Sequence, residues 1–478
     1  MKNNVKKLLC AALSTAMIAG SIVLPMTASA ESTPIFDGDT VEQEWKFDFG
    51  ASGTDAEDGY TLVTPDTNYV TNKEYGFLGV DEGSYKLGNR FDGFGNQKGQ
   101  VIKLAAGGGE GLNDAIGSVG EDSFGNAGDV YYPTRFALKA DDEAYYRVRA
   151  TVTTLDTTKD AEISLYTERK HPIFTDTKVE AGQTKTVEFS VRPTPIYYEK
   201  SEPKGTIADG MVNVCVVGEN SAIASIEIQK VQEYPVFWVL GDSTVTDGNC
   251  SLPFFRLQNY TGVGTGLTKY LPRNYAMVNE GEGGLNAADN YHFNMVKSRI
   301  KAGDFLYVEY GHNHKSDGPT GYVSNLDKYY DACHSVGATL VIVSPIERIN
   351  TFTDGAYQHT LDGFATAGAK YVADKVAAGA TDIAYVDLNS YSLDFYNKIT
   401  TDNGGDSGAI KFYFQTAKGG GTDQTHPNDA GAENLAYEFV KAAKAVTDET
   451  QKAALAPVVN NFTDETPNLV STDITSLG

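Results

Sequence analysis

Short runs in which apolar and polar residues alternate recur along residues 35–232, and this spacing of two predicts β-strands. The segment 212–216, with the sequence VNVCV, shows the alternation. Gly, Asn and Asp separate the runs, and no long helical pattern interrupts them. We therefore predict an all-β sandwich for residues 35–232. Its predicted strands are Trp45–Phe49, Gly76–Val80, Tyr145–Thr153, Glu162–Tyr166, Thr184–Val191, Val212–Val217 and Ala224–Gln229.

One stretch of this first region, Gly88–Asp129, is rich in Gly, Asn and Asp and carries no clear strand pattern. We expect it to form a long surface loop. Its glycine triplet at 107–109 lacks the strand–turn–helix context that a phosphate-binding loop requires.

The pattern changes at Glu233–Pro235, where continuous apolar runs begin to alternate with helical stretches. Continuous runs of Val and Ile are typical of parallel strands that helices cover on both faces. Residues 234–447 are therefore predicted to form an α/β domain, a three-layer doubly wound parallel sheet with its active site at the carboxyl ends of the strands. The predicted strands are Val236–Leu240, Tyr275–Val278, Asp304–Tyr310, Thr339–Val343 and Ile383–Leu388. The predicted helices are Val323–Val336, Leu361–Ala378 and Ala430–Val446. The acidic tail at 448–478 is expected to be loosely ordered.

Residues 1–30 have the pattern of a signal peptide. The positive end holds Lys2, Lys6 and Lys7. An apolar run from Leu8 to Leu24 follows, and Ala28-Ser29-Ala30 forms a cleavage site. We expect the protein to be secreted, and the cleavage site disfavours the alternative of an uncleaved anchor. No later apolar run reaches about 18 residues, so no transmembrane helix is expected.

Composition narrows the classes of partner. Lys and Arg number 39 against 63 Asp and Glu, which gives a net charge of −24 at pH 7. A chain this acidic repels nucleic acid and anionic membranes, and we find no local basic patch. Cys215, Cys250 and Cys333 remain beyond the predicted signal peptide, and three cysteines cannot all pair. A disulfide-stapled scaffold is therefore excluded.

Candidate catalytic residues follow several predicted strands of the second region. Ser243 lies just beyond the first strand, where its hydroxyl is exposed at the start of a helix. Gly284 ends a glycine-rich loop after the second strand, and Asn313 follows the third strand. Asp423 precedes His426 by three residues, so the carboxylate can orient the imidazole while the other ring nitrogen faces the serine. Each motif alone is weak, since a serine at a helix start is common; together they indicate nucleophilic catalysis.

These four blocks, Gly241-Asp242-Ser243, Gly284, Gly311-x-Asn313 and Asp423-x-x-His426, resemble those of the SGNH (GDSL) hydrolase superfamily. The resemblance implies Ser243 as nucleophile, His426 as base and Asp423 as its orienting acid. It also implies an oxyanion hole formed by the Ser243 N–H, the Gly284 N–H and the Asn313 side chain.

Within the superfamily, the segment Ser344–Arg348 and the sequence Thr425-His426-Pro427-Asn428 are most similar to rhamnogalacturonan acetylesterases. Two positions depart from that branch: His314 stands where an acid is usual, and Leu285-Asn286 stand where Arg-Ser is usual. Both flank the site and bear on the acceptor sugar rather than on the chemistry. The first region is similar to the galactose-binding-like β-domain that precedes bacterial members of the branch.

The chemistry of such a site follows from its side chains. A serine hydroxyl is a poor nucleophile until a base takes its proton. Imidazole, whose usual pKa is ~6.5, can do so near neutral pH. Attack on an acetyl carbonyl creates an oxyanion that three N–H donors stabilise, and water then releases acetate from the acyl-enzyme. No cofactor is expected.

Several other residues have competing interpretations. His312 and His314 flank Asn313 and could form a metal pair, but no further ligand motif supports a metal. Asp387 is the rival to Asp423 as the acid of the triad. Asp242 is interpreted as a turn-stabilising acid. We interpret as loop charges Asp247, Glu280 and Glu282, and we assign no function to His171, His292, His334 and His359.

The sequence thus predicts an acetylesterase for plant cell-wall pectin, with rhamnogalacturonan as the favoured polymer. The alternatives are acetylxylan, another glycan or lipid ester, or a binding protein without activity. Cations that could offset the acidic charge near such a substrate are Arg256, Lys269, Arg273, Lys315 and Arg348. The first region either binds polysaccharide, with Tyr131-Tyr132 and Tyr197-Tyr198 as candidates, or only supports the catalytic domain.

Overall fold

Two mainly antiparallel sheets, with one parallel pair between β1 and β2, form the N-terminal β region of the protein, residues 33–232. The computed structural model describes residues 33–84, 91–108, 114–126, 132–197, 206–248, 250–252, 254–416, 421–463 and 465–470. The predicted signal peptide at 1–30 lies outside these residues. The strands of the region are β1 Val41–Phe49, β2 Thr61–Val63, β3 Tyr75–Phe77, β4 Phe94–Gly95, β5 Ile102–Gly108, β6 Asp114–Asp122, β7 Thr134–Lys139, β8 Tyr145–Thr154, β9 Ala161–Thr167, β10 His171–Val179, β11 Thr184–Val191, β12 Ile196–Tyr197, β13 Thr206–Ile207, β14 Met211–Val217 and β15 Ser221–Val231.

The first sheet has the order β11-β8-β15-β1-β2, and β6 and β5 extend it from β15. The second has the order β10-β9-β14-β7-β3. Side chains from both sheets, among them Phe47, Val148, Phe136 and Val214, share one buried apolar core. All seven residues of β14 are buried, so its alternation of apolar and polar residues does not mark an exposed face. Val212 and Val214 enter this core, and Cys215 packs in a separate apolar cluster.

The stretch Gly88–Asp129 is not the surface loop that its composition suggested. Its described part contains β4, β5 and β6, and β6 pairs with β15. Two of its glycines allow close strand packing, because a Cβ on Gly107 would lie 2.4 Å from the Leu155 carbonyl oxygen. A Cβ on Gly117 would lie 2.3 Å from the Ser221 carbonyl oxygen. Glycine is needed here for the approach of distant strands rather than for a turn.

A five-stranded parallel sheet forms the centre of the C-terminal α/β region, with the order β18-β16-β19-β20-β23. Alternate residues of its strands enter two separate apolar cores, with Phe237 and Val239 on one face and Trp238 and Leu240 on the other. The strands of this region are β16 Val236–Gly241, β17 Cys250–Ser251, β18 Ala276–Asn279, β19 Phe305–Glu309, β20 Thr339–Val343, β21 Phe352–Thr353, β22 Ala356–Tyr357, β23 Ile383–Val386, β24 Phe414–Thr416 and β25 Thr422–Pro427.

Helices pack on both of these cores. The α-helices of the described residues are α1 Tyr69–Asn72, α2 Val263–Leu267, α3 Tyr291–Lys297, α4 Gly318–Val323, α5 Leu326–Val336, α6 Asp362–Ala377, α7 Leu388–Asp402, α8 Asp429–Lys444 and α9 Glu449–Val459. Short 3₁₀ turns occupy Glu82–Ser84, Ile349–Thr351 and Ala409–Tyr413. No helix in these ranges is long and apolar enough to cross a bilayer.

The helices correct two expected boundaries in the α/β region. The predicted helix Val323–Val336 begins three residues later, as α5 at Leu326, because Val323 ends the separate helix α4. The predicted strand Ile383–Leu388 ends at Val386, because Asp387 caps α7 by accepting from the Ser390 N–H at 3.2 Å.

The tail after residue 447 begins with an ordered helix. The Asp448 carboxylate caps α9, and Leu455 and Val458 are buried in the apolar core. These apolar residues anchor α9 to the core, although the overall polarity of the segment suggested a loosely ordered tail.

Candidate active site

The serine candidate lies on a turn at the carboxyl end of the internal strand β16. It is not at the start of a helix as expected, because the next helix of the described residues, α2, begins at Val263. A Cβ on Gly241 would lie 2.8 Å from the Glu309 carbonyl oxygen, so only glycine fits at this strand end. Asp242 Oδ1 accepts hydrogen bonds from the Thr244 N–H at 3.0 Å and from its hydroxyl at 2.9 Å. Asp242 thus stabilises the turn, and this turn presents the partly exposed Ser243.

The histidine and its acid share one strand, β25, which precedes α8. Asp423 Oδ1 accepts from the backbone N–H groups of Thr425 at 2.7 Å and His426 at 2.8 Å. Asp423 Oδ2 lies 2.9 Å from His426 Nδ1, and His426 Nε2 lies 2.8 Å from Ser243 Oγ. With Nδ1–H donating to the carboxylate, Nε2 is left to accept the serine proton.

The electrostatics of Asp423 favour this role. Burial alone would raise the pKa of Asp423, but the hydrogen bonds from His426 and Thr425 hold it below its ordinary value. The carboxyl is therefore ionised wherever imidazole can act as a base. Asp387, the rival acid, instead accepts from Ser390 at the start of α7 and from the Ser344 hydroxyl at 3.1 Å.

Two loops supply N–H donors beside the serine. Gly284 has a φ of +86°, a left-handed conformation that favours glycine, and lies exposed in the loop after β18. The N–H groups of Ser243 and Gly284 donate to no acceptor among the described residues. Asn313 Nδ2 donates to the Leu285 carbonyl oxygen at 2.9 Å, which joins the second and third blocks. Backbone donors without an internal partner are what an oxyanion hole requires.

The two histidines that flank Asn313 do not form a metal pair. His314 Nε2 accepts from the Ala287 N–H at 3.0 Å, and its Nδ1 lies 3.0 Å from Asp317 Oδ1. His312 is buried, and its Nδ1 accepts from Arg348 Nε at 3.3 Å. Over the described ranges, no group of three or more His, Cys, Asp and Glu side chains could hold a metal ion.

Tyr260 is a site residue that the sequence analysis missed. Its hydroxyl donates to the Ser243 carbonyl oxygen, and its ring lies edge-on to the His426 imidazole, with centroids 5.1 Å apart. Tyr260 belongs to none of the four blocks, and a lone tyrosine in a loop gives no sequence signal. Its position steadies both the serine turn and the imidazole.

Several carboxyl groups lie buried beneath the site. Asp247 and Glu280 are among them, so the interpretation of these two residues as loop charges is wrong. Burial raises the pKa of Glu280 to about 8. Glu309, at the end of β19, lies under the serine turn, and its Oε1 is 3.3 Å from the Thr244 hydroxyl oxygen. Burial, with Asp242 nearby, raises the pKa of Glu309 to about 8, so this carboxyl is largely protonated near neutral pH.

Most of the candidate cations do not face a substrate. Arg256 pairs with Asp176 and, at 2.7 Å, with Glu433. Lys269 is buried and lies 3.3 Å from Glu433. Arg273 donates to backbone carbonyl oxygens of Thr268 and Ile173. Lys315 is exposed, and Arg348 alone of the five contacts a side chain of the third block.

The tyrosine candidates of the N-terminal β region give no exposed sugar-binding face where the structure describes their side chains. Tyr132 is buried, and its hydroxyl donates to Asp122 at 3.1 Å. Tyr131, Tyr198 and the side chain of Tyr197 lie outside the described part of the chain.

The α/β region that contains the candidate site is similar to a known protein family. Residues 238–439 match the sequence model of the GDSL-like lipase/acylhydrolase family. No curated protein matches the chain in sequence.

Three solved structures illustrate the wider similarity. The Bacillus subtilis protein YxiM is 19% identical over 84% of this chain and 98% of its own, with a TM-score of 0.39. The salicylyl-acyltransferase SsfX3 of a tetracycline biosynthetic pathway is 14% identical over 65% of this chain and 82% of its own, with a TM-score of 0.33. A variant of Axe2, an acetyl xylan esterase from Geobacillus stearothermophilus, is 14% identical over 44% of this chain and 94% of its own, with a TM-score of 0.30.

The family match covers the serine turn, both donor loops and the strand that carries the acid and the histidine. The chain therefore contains a GDSL/SGNH hydrolase domain, and the protein is a serine ester hydrolase.

Proposed function

We propose that the protein is a secreted carbohydrate esterase that removes O-acetyl groups from plant cell-wall pectin, with rhamnogalacturonan as its polymer. The observation that carries the proposal is the line of contacts from Ser243 Oγ through the His426 imidazole to Asp423, at 2.8 and 2.9 Å. In this proposal Ser243 is the nucleophile, His426 the base and Asp423 the acid that orients it.

Each step of the reaction has an assigned group. His426 Nε2 takes the proton of Ser243 as Oγ attacks the acetyl carbonyl carbon. The N–H groups of Ser243 and Gly284 and the Asn313 amide stabilise the oxyanion. The bond to the sugar oxygen then breaks, and the imidazolium returns its proton to that oxygen. A water, deprotonated by His426, attacks the acetyl-serine and releases acetate.

Arg348 favours an anionic polymer over a neutral one. Its Nε is held by His312, whose pKa burial lowers, so that the neutral ring accepts the hydrogen bond. Its two terminal nitrogens donate to no residue in the described ranges. The 3₁₀ turn Ile349–Thr351, directly after Arg348, packs against the strand that carries Asp423 and His426. A guanidinium held by one nitrogen with two others free is suited to a carboxylate, the group that galacturonate provides.

Export and the role of the N-terminal β region complete the proposal. The signal-peptide pattern of residues 1–30 supports secretion. We propose that residues 35–232 form a galactose-binding-like sandwich that supports the hydrolase domain, since Tyr132 offers no exposed ring. Signal cleavage is checked by N-terminal sequencing of the exported protein.

The decisive experiment measures acetate release from acetylated rhamnogalacturonan, acetylated xylan and a small acetyl ester, with Ser243→Ala as control. We expect release from rhamnogalacturonan to be fastest and Ser243→Ala to abolish it. An organophosphate should label Ser243 in the native protein, as read by mass spectrometry. Faster release from xylan would replace pectin with a neutral glycan, and full turnover by Ser243→Ala would remove the nucleophile assignment.

Arg348→Gln tests the anionic substrate. Loss of one charge-assisted contact, worth about 1.5–3 kcal/mol, should raise KM on the acetylated pectin about 10- to 100-fold and leave KM on the small neutral ester unchanged. Lys370→Gln, which removes an exposed cation of α6, is the matched control. Equal effects of Arg348→Gln on the two substrates would contradict carboxylate recognition.

A further inference from the structure

The turn between β9 and β10 has an unusual sequence for its geometry. Arg169 and Lys170 have φ values of 41° and 67°, and the His171 N–H donates to the Glu168 carbonyl oxygen at 2.8 Å. Two successive positive φ values define the hairpin turn in which Asn-Gly is favoured, because larger side chains are strained there. Such strain persists only where the surroundings hold it, which is a property of functional segments.

Lys170 reaches the histidine side of the active site. Its ammonium is fully buried, lies 2.8 Å from Asp429 Oδ1 and donates to the Thr261 hydroxyl at 2.8 Å. Asp429 begins α8, three residues after His426. The Thr261 N–H donates to the Pro427 carbonyl oxygen at 3.1 Å. The Lys170 ammonium therefore joins the segments of Thr261 and Asp429, which are linked at Pro427, the residue after His426.

Arg169 and His171 reach the serine side. His171 Nε2 lies 2.9 Å from Asp247 Oδ1, and Arg169 Nε lies 3.4 Å from Asp247 Oδ2. Asp247 Oδ1 also accepts from Asn279 Nδ2 at 2.9 Å. Asn279 Oδ1 in turn accepts from the Gly281 N–H at 2.9 Å, in the loop that carries the oxyanion glycine. His171, which the sequence analysis left without a role, thus contacts the segment that follows the nucleophile.

The cationic side chains of the turn lie against two buried carboxylates of the hydrolase domain. Burial alone would raise the pKa of Asp247, but His171 and Arg169 hold it below its ordinary value. Asp429 is likewise buried and faces the Lys170 ammonium. A buried carboxylate without a partner is strongly unfavourable, so both carboxylates of the hydrolase domain depend on cations that another part of the chain supplies.

We propose that the turn Arg169-Lys170-His171 is a positioning element of the esterase site. It holds the segment after Ser243 and the segment after His426 in the spacing that brings the two side chains within hydrogen-bond reach. The N-terminal β region then contributes to catalysis on every acyl ester, so the proposal rests on ester hydrolysis and not on the identity of the polymer.

The test uses the full-length protein and a small acetyl ester, p-nitrophenyl acetate, whose hydrolysis does not depend on polymer binding. The first variant is Lys170→Gly with Asp429→Asn, in which glycine suits the positive φ and no buried carboxylate is left unpaired. We expect a melting temperature close to that of the wild type, a kcat about 10- to 100-fold lower and a KM within about twofold, because small displacements of reacting groups have effects of this size.

A second series keeps the test valid if that variant does not fold. His171→Leu removes the contact with Asp247, and His171→Gln retains an N–H donor, so we expect a lower kcat for the former and partial rescue by the latter. Lys178→Ala with Asp160→Asn removes an exposed ion pair, 2.8 Å apart, between β10 and the residue that precedes β9, and should leave kcat unchanged.

One result would overturn the proposal. If Lys170→Gly with Asp429→Asn, or His171→Leu, keeps the wild-type melting temperature and a kcat within twofold of wild type, the turn only joins the two regions. If the wild type releases acetate fastest from acetylated xylan and the variants lose kcat on p-nitrophenyl acetate, the pectin proposal is refuted and this one stands.

Discussion

Asn313 Nδ2 donates to the Leu285 carbonyl oxygen at 2.9 Å, so the third sequence block holds the loop that carries Gly284. One N–H of the amide is used in this contact, and the other is left for a ligand. The side chain proposed to stabilise the oxyanion thus also holds the loop that carries the second proposed donor, Gly284.

Replacement of Asn313 by alanine should therefore have a large effect on turnover. Removal of one oxyanion donor typically lowers kcat about 10²–10³-fold. We expect a loss of at least this size for Asn313→Ala on a small acetyl ester, with the fold retained. Asn461 makes a similar contact to the Pro457 carbonyl oxygen, at 3.1 Å, at the end of α9. Asn461→Ala should not change kcat, and a modest loss for Asn313→Ala would argue against its role as donor.

Gly284→Ala separates backbone strain from catalysis. No atom lies within 4 Å of a Cβ added at Gly284, but its φ of +86° is unfavourable for alanine by about 1–2 kcal/mol. Gly303, with a φ of +82° and equally open surroundings, precedes β19 at the opposite end of the sheet. Both alanine variants should lose similar stability in urea unfolding, whereas kcat should fall only for Gly284→Ala. Equal kcat in the two variants would show that the Gly284 N–H is not a donor to the reaction.

Local patterns in the sequence predicted those parts of the fold that local forces determine. The strand Thr339–Val343 has the predicted bounds, because a continuous apolar run covered on both faces needs no distant partner to be recognised. Strand β5 was missed because the role of Gly107 depends on Leu155, which lies far away along the chain. Helix α9 was missed because its stability comes from burial of Leu455 against the core.

The site residues also fall into two groups: those that a local motif identifies and those that only tertiary contacts identify. Motif spacing was sufficient to select Ser243 and His426 as candidates that lie close together, since each ends a recognisable block of residues, and the two side chains are 2.8 Å apart. Tyr260 and the contact between Lys170 and Asp429 could not be predicted, because they join segments from different parts of the chain and follow no motif. A buried charge pair such as Lys170–Asp429 depends on tertiary packing, which cannot be inferred from the local sequence.

Tyr260→Phe tests how much the hydroxyl contributes to the serine turn. The variant loses the hydrogen bond to the Ser243 carbonyl oxygen and keeps the ring against His426. A neutral hydrogen bond contributes about 1 kcal/mol, so we expect a stability loss of that size and a fall in kcat of less than about tenfold. Tyr260→Ala also removes the ring and should lower kcat further. If the two variants have the same kcat, the ring does not steady the imidazole.

Glu280→Gln should change how stability depends on pH. Burial raises the pKa of Glu280 from its ordinary value of 4.5 to about 8. Between these values the folded protein retains a proton that the unfolded chain has released, so rising pH lowers the free energy of unfolding of the wild type. Above about pH 8 both states are ionised, and this contribution becomes constant. Glutamine resembles the protonated carboxyl and does not titrate. Urea unfolding from pH 4.5 to pH 9 should therefore show the variant gaining stability relative to the wild type up to about pH 8 and no further; a difference independent of pH would contradict the raised pKa.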